Sequence, residues 1–147
     1  MESVIVGVDS SESSKRALWF ALRRAHINEW RVLVVHVINW SPYSFPTLEE
    51  NEKRPVTRKK QLKAARKEII DPLLEQAAGE GLLDGIEVAS AVHFGRPSEM
   101  LSDLADEGSY DAIVVARTGD SGLKAAIFGT TASRLVQHAP VPVVVVP

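Results

Sequence analysis

Short, mostly apolar runs alternate along this chain with longer stretches in which leucine and alanine recur every three or four positions. The runs are Val4 to Val8, Arg31 to Ile38, Ile86 to Val92, Ala112 to Ala116 and Val141 to Val146. Runs of this kind, without strict alternation, predict strands covered on both sheet faces. The first helix is expected over Ser13 to Ile27, with Leu18, Ala21, Leu22 and Ala25 on its inner face. Asp9-Ser10-Ser11-Glu12-Ser13-Ser14 precedes it, offering capping oxygens and an acidic first turn. A long helix is expected over Thr57 to Gly79, its inner face formed by Leu62, Ala65, Ile69, Leu73 and Ala77. Pro72 should kink or break it near Glu68 to Asp71. Gly95-Arg96-Pro97-Ser98-Glu99 opens the next helix, with Pro97 suited to the first helical position. Met100, Leu101, Leu104 and Ala105 form its apolar face, and it ends near Gly108. The last helix places Ala132, Leu135 and Val136 on one face and stops at His138-Ala139-Pro140. Asn39 to Val56 has no helical period and carries Trp40, Pro42, Tyr43, Phe45, Pro46 and Pro55. It reads as a long loop, either a lid or a plain surface connection.

Strands and helices in strict alternation predict a doubly wound α/β fold, a five-stranded parallel sheet with helices on both faces. No internal repeat or compositional break divides the chain, so residues 1–147 are expected to form a single domain.

The stretch from Asp111 to Arg134 carries the candidate chemistry. A buried strand ending at Ala116 runs into a loop with Gly119 and Gly122, and then into Gly129, Thr130, Thr131 and a helix. Glycine admits close approach of backbone to a ligand, and the N–H groups of a helix's first turn attract anions. The arrangement suits phosphate binding; an ordinary connection in an α/β domain has the same outline. Asp9, at the end of the first strand, offers a carboxylate that can accept hydrogen bonds from ligand hydroxyls; a turn or capping role is the alternative. Arg117 and Lys124 could neutralise phosphates or face solvent.

Gly119, nine residues, Gly129 and Thr130 resemble the nucleotide-binding signature of the universal stress protein family, Gly-x2-Gly-x9-Gly-Ser/Thr. The first glycine of that signature is Ala116 here. The resemblance extends to Val6-Gly7-Val8-Asp9, His36-Val37, Gly95-Arg96-Pro97 and His138-Ala139-Pro140-Val141-Pro142-Val143. It implies a Rossmann-like sheet of strand order 3-2-1-4-5, with a topological switch between strands 1 and 4, where open α/β sheets hold ligands. It further implies that Val8, Asp9, Val37, Val115, Ala116, Gly119, Gly129, Thr130 and Thr131 bind ATP or another adenine nucleotide, with or without magnesium. A homodimer through Val141 to Val146 is also implied, since that apolar strand would otherwise be a bare sheet edge. An alanine at 116 would strain the chain if the position needs positive φ, and costs little if it needs only close approach.

Charge and composition narrow the alternatives. The 147 residues carry a formal charge of −2, so no global basic field points to nucleic acid. The cluster Arg54, Arg58, Lys59, Lys60, Lys63, Arg66 and Lys67 reads as a solvated helix face. No run reaches the length of a membrane span, and the first residues lack a signal-peptide pattern. The absence of cysteine suits a reducing cytoplasm. His26, His36, His93 and His138 lack metal-ligand spacing and read as structural. Neither Gly-x-Ser-x-Gly nor Gly-x4-Gly-Lys-Ser/Thr occurs, so no catalytic residue is assigned and fast ATP turnover is not expected. The reading is a cytoplasmic stress-response module that binds an adenine nucleotide. Its competitors are a very slow magnesium-dependent ATPase and a dimeric scaffold that binds no nucleotide.

Overall fold

The computed structural model describes residues 2–39, 48–119 and 130–147. The strands are β1 (Ser3–Gly7), β2 (Arg31–Asn39), β3 (Val88–Gly95), β4 (Ala112–Ala116) and β5 (Val143–Val146). They form one sheet of order β3-β2-β1-β4-β5, in which every pairing is parallel. This is the expected Rossmann-like α/β fold. The helices are α1 (Glu12–Asn28), α2 (Leu48–Ala65), α3 (Asp71–Gly79), α4 (Pro97–Glu107) and α5 (Thr130–His138).

Side-chain alternation divides the core between the sheet faces. Val4, Val6, Val32, Val34 and Val114 pack with Leu18, Leu22 and Ala25 of α1, Ala77 of α3 and Ile70. Ile5, Val35, Val37, Ile113 and Val115 pack with Leu101 and Ala105 of α4 and Ala132 and Leu135 of α5. Gly7 allows α4 to close on the sheet, because a Cβ there would stand 2.8 Å from Leu101 Cδ1. At the opposite end of the strands, Asp111 ties β4 to β1. Its N–H donates to Ser3 O at 2.7 Å, and its Oδ2 accepts from the Ser3 N–H at 2.8 Å.

Three expectations change. The segment 48–56 is helical, so the predicted loop Asn39 to Val56 is cut short and its residues 40–47 lie outside those described. Residues 48–54 combine strong helix formers with no apolar period, which hides the helix from a search for amphipathic faces. Val136 does not share the buried face of Ala132 and Leu135; it is 51% exposed. The last strand begins at Val143 rather than Val141. Pro142, which has no N–H for a ladder, contributes only its carbonyl, accepting from Ile113.

The distortion expected before Pro72 is present as a π-helical turn, Arg66–Ile70, closed by the Asp71 N–H donating to Arg66 O. The basic face of α2 is largely solvated, with Lys59, Lys60 and Lys63 exposed. Two arginines of the basic run are engaged: the Arg58 guanidinium in α2 stands 5.5 Å from the Phe94 ring centroid, and Arg66 Nη1, in the π-helical turn, donates to Ser90 Oγ at 2.7 Å.

Candidate functional site

Parallel strands deliver their carboxyl ends, and the starts of the helices that follow them, to one edge of the sheet. At the switch between β1 and β4 this edge holds a cleft of about 780 Å³. Val8 and Asp9 leave β1 into it. The Val8 N–H donates to Val35 O at 2.8 Å, and Val8 O accepts from His36 Nδ1 at 2.8 Å. A carbonyl only accepts, so His36 Nδ1 is the donor of this hydrogen bond. Val8 therefore presents an apolar side chain and an already engaged backbone, not a vacant N–H for reading a base.

Asp9 is held by the start of α1. Its N–H donates to the buried Ser14 Oγ at 2.7 Å, and its Oδ1 accepts from the Ser11 N–H at 2.9 Å. Ser11 is the N-cap of α1, its hydroxyl accepting from the Ser14 N–H at 3.2 Å. The turn role foreseen for Asp9 is thus real and occupies one carboxylate oxygen. The other oxygen lies against Gly119, where an added Cβ would be 2.7 Å from Asp9 Oδ2. Gly119 does not have positive φ, so glycine is required here by close approach and not by backbone conformation. Thr118, one residue earlier, is fixed by a 3.0 Å hydrogen bond between its Oγ1 and Ser13 Oγ.

Val8, Asp9, Val37, Val115, Ala116, Gly119, Thr130 and Thr131 all line this cleft. Gly129, Gly122 and Lys124 lie outside the described residues. Ala116 closes β4 in ordinary extended backbone, so its methyl carries no strain. Arg117 is exposed and does not line the cleft; its N–H donates to Val146 O at 2.7 Å and ties β4 to β5. His36, Asn39, Arg96 and Arg134 line the cleft without having been singled out as site residues. Arg96, immediately before an N-terminal proline, sits by that position at the strands' carboxyl edge, a signal that was available. Arg134 follows Thr130 by one helical turn, which was equally legible.

The lining is apolar toward β2 and β4, acidic at Asp9, and basic at the starts of α4 and α5. Among the described residues no group of three or more His, Asp or Glu could hold a metal ion, and no helix is long and apolar enough to cross a membrane. The lining combines apolar surface with one carboxylate and two guanidinium groups, which suits a ligand with both apolar and charged parts.

The sequence profile of the universal stress protein family matches residues 1–147. The chain belongs to the universal stress protein family. A universal stress protein of Methanocaldococcus jannaschii is 25% identical over 153 residues, covering 99% of this chain and 81% of that protein. A universal stress protein of Mycolicibacterium smegmatis is 29% identical over 150 residues, covering 97% of this chain; the chain spans only 47% of that relative's length. Among solved structures, the universal stress protein UspA from Lactobacillus plantarum superposes with a TM-score of 0.82 at 20% identity, over 99% of this chain and 97% of that one. A universal stress protein in complex with cAMP gives 0.68 at 21% identity, over 99% and 97%. The universal stress protein from Archaeoglobus fulgidus in complex with dAMP gives 0.59 at 23% identity, over 100% and 98%.

Proposed function

We propose that this universal stress protein is a cytoplasmic regulatory module that binds ATP or another adenine nucleotide in the cleft at the β1–β4 switch. The observation that carries the reading is the close packing of Gly119 on the Asp9 carboxylate at the mouth of two adjacent parallel strands. A Cβ at 119 would collide with the Asp9 carboxylate, so the loop after β4 and the turn after β1 meet closely at the switch, where open α/β sheets hold ligands. The two structural relatives that hold cAMP and dAMP support the nucleotide class.

The residues present fit such a ligand. Val37, Val115 and Ala116 offer an apolar surface for the base. The Asp9 carboxylate suits ribose hydroxyls, and the N–H groups of Gly119, Thr130 and Thr131 suit phosphate oxygens. Magnesium, where present, would arrive on the phosphates themselves, because the described residues supply no cage for it. Two copies pair through β5, whose ladder toward β4 uses Pro142 O and Val146 O and turns the backbone of Val143 and Val145 outward.

The test is mass spectrometry of small molecules released when the purified protein is denatured. ATP, ADP or AMP in near-stoichiometric amount is expected. Only a non-adenine ligand would redirect the assignment.

A further inference from the structure

The cleft differs in charge from one sheet face to the other. Asp9, at the start of α1, supplies the negative side. The side that carries α4 and α5 supplies Arg96 and Arg134. Arg96 immediately precedes α4, and its Nη1 reaches Glu99 Oε1 only at 3.4 Å, between two exposed side chains. Arg134 makes no hydrogen bond or ion pair among the described residues. A guanidinium is permanently charged and offers five donors in a planar fork. Solvated arginines are common on protein surfaces. Here, however, one just before α4 and one in α5 reach the same cavity, on the side away from its carboxylate.

We propose that Arg96 and Arg134 form a cationic clamp for the phosphate chain of the ligand, so that the cleft ranks adenine compounds by charge: triphosphate over monophosphate, and monophosphate over nucleoside. This rests on the nucleotide reading of the cleft. It adds two phosphate-contacting side chains, one just before α4 and one in α5, to the backbone donor of Gly119. Ligand phosphates would displace the weak Arg96–Glu99 contact and give Arg134 a partner. Both guanidinium groups are exposed, so the attraction is partly screened and should weaken as salt rises.

The experiment is calorimetric titration with adenosine, AMP and ATP, and with inorganic tripolyphosphate as a probe that lacks adenine. Wild type, Arg96→Gln, Arg134→Gln and the double variant are compared at low and high salt. Glutamine at these exposed positions leaves the core untouched, and circular dichroism confirms folding. Each single substitution should lower affinity for ATP and tripolyphosphate about tenfold, the scale of one charge-assisted hydrogen bond in a partly solvated site. Adenosine binding should not change, and the double variant should lose most of the salt dependence. Undiminished ATP affinity in the double variant, or an equal loss for adenosine, overturns the clamp. Wild type that binds adenosine as tightly as ATP ends the clamp and leaves the adenine reading intact. Wild type that binds tripolyphosphate but no adenine compound, and loses it on substitution, keeps the clamp and ends the adenine reading. Wild type that binds none of the four ends both.

Discussion

At the scale of single residues, the site turns on Asp9 and Gly119. The Asp9 carboxylate cannot swing away at little cost, because its Oδ1 is held by the Ser11 N–H within the turn that starts α1. Gly119→Ala would put a methyl 2.7 Å from Asp9 Oδ2, so either the turn or the loop must move. Affinity for ATP should fall by about tenfold or more, roughly 1.4 kcal/mol. The melting temperature should change little, since the substitution lies outside the packed core; a folded Gly119→Ala protein with wild-type affinity would contradict this geometry. Both residues were legible in the sequence, one from its place after an apolar run and the other from glycine spacing. The reason for the glycine was not legible. A positive φ and a close approach look alike in a sequence, and only the coordinates show that 119 is the second case. The engagement of Val8 by Val35 and His36 was hidden for the same reason, because it depends on register between β1 and β2.

At the scale of elements, amphipathic periodicity located what packs and missed what does not. The inner face of α1 was readable because Leu18, Ala21, Leu22 and Ala25 recur at helical spacing and are all buried. The segment 48–56 was not, because nothing in its residue types marks a buried stripe. Val136 leaves the buried face because a residue next to Leu135 along the chain is turned about a quarter of the way round the helix. The start of α1 serves the helix and the candidate site together: the Ser11 hydroxyl caps the helix and also donates to Asp9 Oδ1. Ser11→Ala should therefore cost about 1 kcal/mol of stability, the usual loss for an N-cap hydroxyl. It should also weaken ATP binding, since the carboxylate loses part of its mooring. Denaturant unfolding and calorimetry on the same sample check the two effects; loss of stability with unchanged affinity would show that the Asp9 geometry does not depend on the cap.

At the scale of the whole molecule, strand order decides what the site can be. The order β3-β2-β1-β4-β5 brings Asp9, Gly119, Arg96 and Arg134 to one cleft, although they are dispersed in sequence. Periodicity alone does not give that order, which the family resemblance implies; Arg96 and Arg134 belong to no spaced motif like that of the glycines, and only their places just before α4 and one turn into α5 mark them. The same order leaves β5 at an edge, with the backbone of Val143 and Val145 facing away from β4. Val145→Pro removes an outward N–H without breaking a bond to β4. Light scattering should show a dimer for wild type and a monomer for this variant, with far-UV circular dichroism unchanged; a dimer that survives the proline would place the interface elsewhere. The central claim is that the cleft holds an adenine nucleotide, and titration of ATP into nucleotide-stripped wild-type protein tests it most directly. Saturable binding with one site per chain is expected; a folded protein that shows no saturable binding of ATP, ADP or AMP would contradict it.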